Sequence, residues 1–213
     1  MKKYQFIITV LITTLMLFSC ASKQKIQRER NENFIADIEP FTIGEMHLYT
    51  RMTINSPKIS DFELVFTPRT NNISVSSKLG LDVIKVNFSY KERQLVKTVA
   101  EQYIELYNNN DIKDDKSNNK NALLKSEIPL SWGVFGFTHS IKVKYQIHIE
   151  YLEPKKPYLR LKFEPTTDPK DDSTTPAFSI YVSPSQWQTI FDMCSQESLE
   201  AQCDEIIEQA EAF

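Results

Sequence analysis

Between Ile141 and Tyr151 every second residue is apolar. Ile141, Val143, Tyr145, Ile147, Ile149 and Tyr151 alternate with Lys142, Lys144, Gln146, His148 and Glu150. Successive side chains of a strand point to opposite faces, so this period of two predicts a strand with one buried and one wet face. The same alternation runs through Met46, Leu48, Met52 and Ile54, then through Phe62, Leu64 and Phe66. Shorter strands are predicted around Ile73 and Val75, Ile84 to Phe88, Leu159 to Phe163 and Phe178 to Val182. Ser56-Pro57-Lys58 and Glu153-Pro154-Lys155 mark turns between successive strands.

Elsewhere the period changes. Leu95, Val96, Val99, Tyr103, Leu106 and Tyr107 share one face at helical spacing, which predicts a helix over residues 91–107. Ser183-Pro184 supplies an N-cap and a proline at the first helical position, ahead of Trp187, Ile190, Phe191 and Cys194. A last helix carries Leu199, Cys203, Ile206, Ile207 and Ala210, with Ser195 or Ser198 as its cap. Half-wet strands with amphipathic helices predict an α+β fold, antiparallel sheet or sheets with helices on one face. The polar stretches Asn108 to Glu127 and Thr166 to Pro176 read as solvated loops.

The two halves resemble each other. A shift of 97 residues aligns Pro57 with Pro154, Leu64 with Leu161, Phe66 with Phe163 and Pro68 with Pro165, and a shift of 94 brings Ser89 onto Ser183. This predicts an internal duplication of a β-hairpin–strand–helix unit. The chain then divides into a leader (1–19), a tether (20–40), a first repeat (41–110), a polar linker (111–130) and a second repeat with a C-terminal helix (131–213).

The leader carries the sharpest address. Lys2 and Lys3 precede an apolar run from Phe6 to Phe18, and Leu17-Phe18-Ser19-Cys20 follows. The run is short for a membrane span, which needs about 20 apolar residues, and suits a signal peptide. The segment resembles the lipobox of bacterial lipoproteins. That resemblance covers the leader alone and implies that Cys20 is acylated and becomes the mature N-terminus. It places the protein in the cell envelope, anchored to a membrane by its lipid, with palmitate among the expected chains. The mixed charges of Ala21 to Pro40 suit a tether.

Chemistry is harder to find. With 25 Lys+Arg against 28 Asp+Glu, the chain lacks the basic excess of a nucleic-acid binder, and four glycines leave little for phosphate-cradling loops. No HExxH, GxSxG, P-loop or CxxC pattern occurs among its residues. No cofactor, metal or catalytic residue is therefore assigned. Cys194 and Cys203 are read either as a disulfide or as two buried thiols; one continuous helix would hold them about 13.5 Å apart, too far to bridge. Lys142, Lys144, His148, Arg160 and Lys162 fall on the wet faces of one predicted hairpin, with Tyr151 placed across from Leu159. They form either a contact for an anionic partner or a solvated lysine face. Half of all the glycines lie in Trp132-Gly133-Val134-Phe135-Gly136-Phe137, read as core or as an apolar docking patch. The function expected is a non-enzymatic binding or scaffolding module that meets an envelope protein or a cell-wall component. An apolar-ligand or lipid carrier is one alternative and would need a cavity between sheet and helices. An enzyme of unrecognised type is another, and would need His139 to meet an acid such as Asp82 or Glu127.

Overall fold

The structure is a computed structural model that describes residues 32–52, 55–113, 121–153 and 156–212. The leader, Cys20 and residues 21–31 lie outside the described residues, as do Pro154 and Lys155 of the second predicted turn.

Eight antiparallel strands close into a barrel in strict sequence order. They are β1 (Phe41–Met52), β2 (Lys58–Thr67), β3 (Asn72–Leu79), β4 (Asp82–Phe88), β5 (Leu124–Gly133), β6 (His139–Glu153), β7 (Lys156–Phe163) and β8 (Phe178–Val182). Three helices lie outside the wall: α1 (Tyr90–Asn108), α2 (Pro184–Cys194) and α3 (Gln196–Glu211). The expected α+β arrangement of sheets with helices on one face is therefore corrected. The sheet has no free edge, because β8 returns to β1 through Tyr49↔Tyr181, Thr50↔Ile180, Arg51↔Ser179 and Met52↔Phe178.

The strand that closes the first half to the second is β5, which begins inside the segment read as a polar linker (111–130) and ends at Gly133. Its alternation is plain once the register is known: Ile128 and Leu130 are fully buried, and Trp132 is nearly so. Pro129 argues against a central strand because it donates no ladder hydrogen bond. Here pairing with β4 runs from Gly133 only as far as Leu130, so Pro129 lies just past its end.

The duplication also fails on register. Met46 pairs with Phe62, but their counterparts 97 residues on, Val143 and Leu159, do not pair; Leu159 faces Ile149. A bulge between Tyr151 and Glu153 accompanies the different turn. The placement of Tyr151 across from Leu159 is thus corrected by two residues, a slip that keeps every side chain on its face.

The alternating apolar set of each strand, such as Phe62, Leu64 and Phe66 of β2, points inward and forms one core with the helices. Phe66, Ile128, Leu130, Val143, Tyr145, Ile147 and Leu159 present no surface to water, so side chains fill the barrel where they meet. The β4–α1–β5 connection, the start of β1 and the β8–α2 junction all lie at one end, where the helices cover the mouth. Tyr103 of α1 donates to the Pro157 carbonyl at 2.9 Å. Tyr145 donates to the Glu92 carboxylate at 3.0 Å. A Cβ on Gly44 would sit 2.6 Å from the Met193 sulfur, so β1 and α2 pack with no space between them. The helix caps follow the sequence: Ser89 caps α1, Ser183 forms a capping box with Gln186, and Ser195 caps α3. The opposite end carries only the strand-to-strand turns.

Candidate functional site

Wet faces of strands normally stay wet, yet part of the outer wall on β6 and β8 is buried. Tyr181 and Ser179 of β8 and His148 and Gln146 of β6 point outward and are nonetheless hidden. They are covered by long neighbours. Glu150 accepts from Arg51 Nη1 at 2.9 Å through one oxygen and from Arg160 Nη1 at 2.6 Å through the other. The two guanidinium carbons stand 5.2 and 5.8 Å from the centre of the Tyr181 ring. Arg160 Nε also donates to Ser179 Oγ at 3.0 Å. Burial raises the Tyr181 phenol above its ordinary value, with Arg160 opposing. The cluster is a carboxylate held between two cations over an aromatic face.

Beside it, Gln146 bridges Glu164 at 2.8 Å and His148 Nε2 at 3.0 Å. His148 Nδ1 has no partner among the described residues. Burial holds the ring below its ordinary value, and the charges of Arg160 and Lys162 push the same way. His148 is therefore a neutral, buried group, not the solvent-facing residue its strand position predicts.

The predicted basic group divides in two. All five residues share one wall, but His148 and Arg160 belong to the buried cluster. Lys142 and Lys144 are exposed and Lys162 is half-buried. With Lys125 on β5, they take part in no ion pair among the described residues. Glu127, directly across from Lys144, is the facing carboxylate of this band. Arg51, Ser179 and Tyr181 were not legible as site residues, because β1 and β8 become neighbours only when the barrel closes. Their one local signal is the polar half of each strand's alternation.

The remaining candidates resolve into simpler roles. His47 pairs with Asp61 at 2.7 Å on the exposed wall. His139 meets neither Asp82 nor Glu127. It stacks on Trp132 and contacts Asp171 at 3.0 Å and Ser173 Oγ at 3.2 Å. Both contacts fall on Nδ1, so Ser173 and Asp171 share one nitrogen, and the trio ties the β7–β8 loop to the start of β6. Ser173 and its own backbone hold the Asp171 carboxyl below the usual range, with His139 adding to this. Cys194 ends α2 and Cys203 lies within α3, both as free thiols. Burial pushes the Cys194 thiol up to about 11. No group of three metal-ligating side chains occurs among the described residues. An open groove of about 670 Å³ runs between α1 and α2, lined by Lys97, Glu101, Ile104, Phe191 and Asp192 among others. No described helix is long and apolar enough to cross a membrane.

The sequence profile of a family described as "Uncharacterised Treponema protein" matches residues 23–201. An "Uncharacterized protein" of Treponema pallidum (strain Nichols) is 26% identical over 207 residues, covering 95% of this chain and 72% of that protein. No solved structure matches.

Proposed function

The chain belongs to the family described as an uncharacterised Treponema protein, and we propose that it is a lipid-anchored, non-enzymatic binding module of the cell envelope. The lipobox-like Leu17-Phe18-Ser19-Cys20 supports the anchor, and the barrel supports the binding role. The observation that carries the reading is the band of Lys125, Lys142, Lys144 and Lys162, which makes no ion pair among the described residues and has Glu127 as its facing carboxylate, beside the Arg51–Glu150–Arg160 cluster. Exposed cations without partners keep their attraction for an anionic surface, whereas Arg51 and Arg160 are already committed to Glu150. The partner class is an anionic envelope protein or cell-wall polymer. A carrier of apolar ligands is less well supported, because the barrel core is filled by side chains. Glu150, with both oxygens engaged by guanidinium groups, braces β1, β6 and β7.

Two variants test this. Cys20→Ala is expected to move the protein out of the membrane fraction, and unchanged retention contradicts the anchor. Reversal of Lys142, Lys144 and Lys162 to Glu is expected to weaken binding to isolated envelope material by about tenfold or more at low salt. Binding that ignores both the reversal and added salt contradicts the lysine band.

A further inference from the structure

The end of the barrel that the helices leave uncovered has an apolar tip. Eight large apolar side chains are exposed among the described residues, and four of them (Leu81, Val134, Phe135 and Phe137) sit on two turns. These are the β3–β4 and β5–β6 turns, and they are neighbours because β4 pairs with β5 through Val83↔Gly133 and Ile84↔Trp132. Leu81 is 76% exposed and Phe135 is fully exposed.

The display is built into the backbone. A Cβ on Gly133 would meet the Gly136 carbonyl oxygen at 2.2 Å, and Gly136 takes a φ of +150°. Only glycine allows this tight return, closed by the Thr138 N–H donating to the Trp132 carbonyl at 3.1 Å. Trp132 stays in the core while Val134 and Phe135 are thrown outward.

Charge surrounds the tip. Lys85 stands 4.3 Å from the centre of the Phe137 ring, and Lys78 is exposed across from Val83. In the neighbouring β7–β8 loop, Asp168 accepts from the Lys170 N–H and Asp171 is held by Ser173 and by His139 of β6, while Asp172 is exposed.

We infer that this uncovered end inserts Leu81, Val134 and Phe135 into a lipid bilayer carrying anionic headgroups, with Lys78 and Lys85 meeting the headgroups. The patch is convex and made of separate projecting side chains. A fluid bilayer accepts any convex shape, whereas a protein partner would need a matching pocket. On the two turns and the strand ends beside them, Lys78 and Lys85 outnumber Asp82, which adjoins Leu81, and the small positive excess favours a negative leaflet. The inference uses none of the lysine band and stands independently of the anchor and the partner proposed above.

The full chain tests it. Trp132 and Trp187 are buried, so Phe135→Trp adds an exposed reporter at the tip, and Tyr107→Trp adds one at the helix-covered end. Both are bound to vesicles of phosphatidylcholine and phosphatidylglycerol with brominated acyl chains. Retention through the leader alone leaves both reporters in water, so the comparison is internal to the molecule. Phe135→Trp emission is expected to fall about twofold or more, with Tyr107→Trp little changed. Adding Leu81→Asp, or Lys78→Glu with Lys85→Glu, is expected to reverse most of that quenching. Equal quenching at the two ends overturns the inference. So does a concentration-dependent blue shift of Phe135→Trp without lipid, which would mean that a second copy covers the tip.

Discussion

Glu150 joins strands that are far apart in the chain, since Arg51 lies 99 residues before it. Removing it leaves two guanidinium groups facing each other over Tyr181 with no counter-charge. Glu150→Ala is therefore expected to destabilise the fold by about 2 kcal/mol, below the range for a deeply buried pair because these groups retain some exposure. Urea unfolding measures it, and an unchanged midpoint contradicts the brace. His148 makes a prediction of opposite character. Its ring is held below 6.5 in the fold, so the unfolded chain takes up a proton first as pH falls. Stability is then lost as pH drops from about 6.5 toward the folded value. His148→Gln is expected to flatten the change in urea midpoint between pH 7 and pH 5.5; an equal change in both proteins contradicts it. Cys203 is buried, and Cys194 is half-buried with its thiol pushed up to about 11, so both are expected to resist alkylation at pH 8 until the protein is unfolded. Unfolding without reductant should then expose two reactive thiols at these positions, whereas a bridge would expose none.

Among the elements, helices and hairpin strands were legible because their signals are local. Ser183 and Pro184 mark the start of α2 as the sequence implies, and Gln186 completes a capping box that the structure adds. Ser183→Ala is expected to cost about 1 kcal/mol in thermal or urea unfolding. An effect within error contradicts the cap. Strand faces were equally readable: a slip of two residues between β6 and β7 left the inner and outer sets unchanged. β5 was hidden for an identifiable reason. Pro129 and the asparagine-rich approach both argue for a loop, and Leu124, Ile128, Leu130 and Trp132 look isolated unless their neighbours on β4 and β6 are known. The tip at Val134 to Phe137 divides a segment that reads as one apolar run. Gly133 and Gly136 separate the core residue Trp132 from the displayed Phe135, a distinction that needs the backbone path.

At the scale of the whole molecule, closure was the property the sequence did not carry. Alternation tells which side of a strand is dry, but it does not tell whether the first strand finds the last. A sheet with helices on one face and a barrel capped by helices have the same strands, the same faces and nearly the same polar positions. They differ in the pairings β4–β5 and β8–β1, which are fixed by packing across the barrel. Function depends on the same distinction. A filled, closed barrel offers its outer wall and its ends for contact, and the lysine band and the apolar tip are the surfaces proposed above for it. The most direct measurement is proton–proton contact by solution NMR across the two seams. The account predicts strong interstrand contacts between Tyr49 and Tyr181 and between Val86 and Leu130, alongside those of every hairpin. Contacts within the hairpins but none across these seams would contradict it and restore an open sheet.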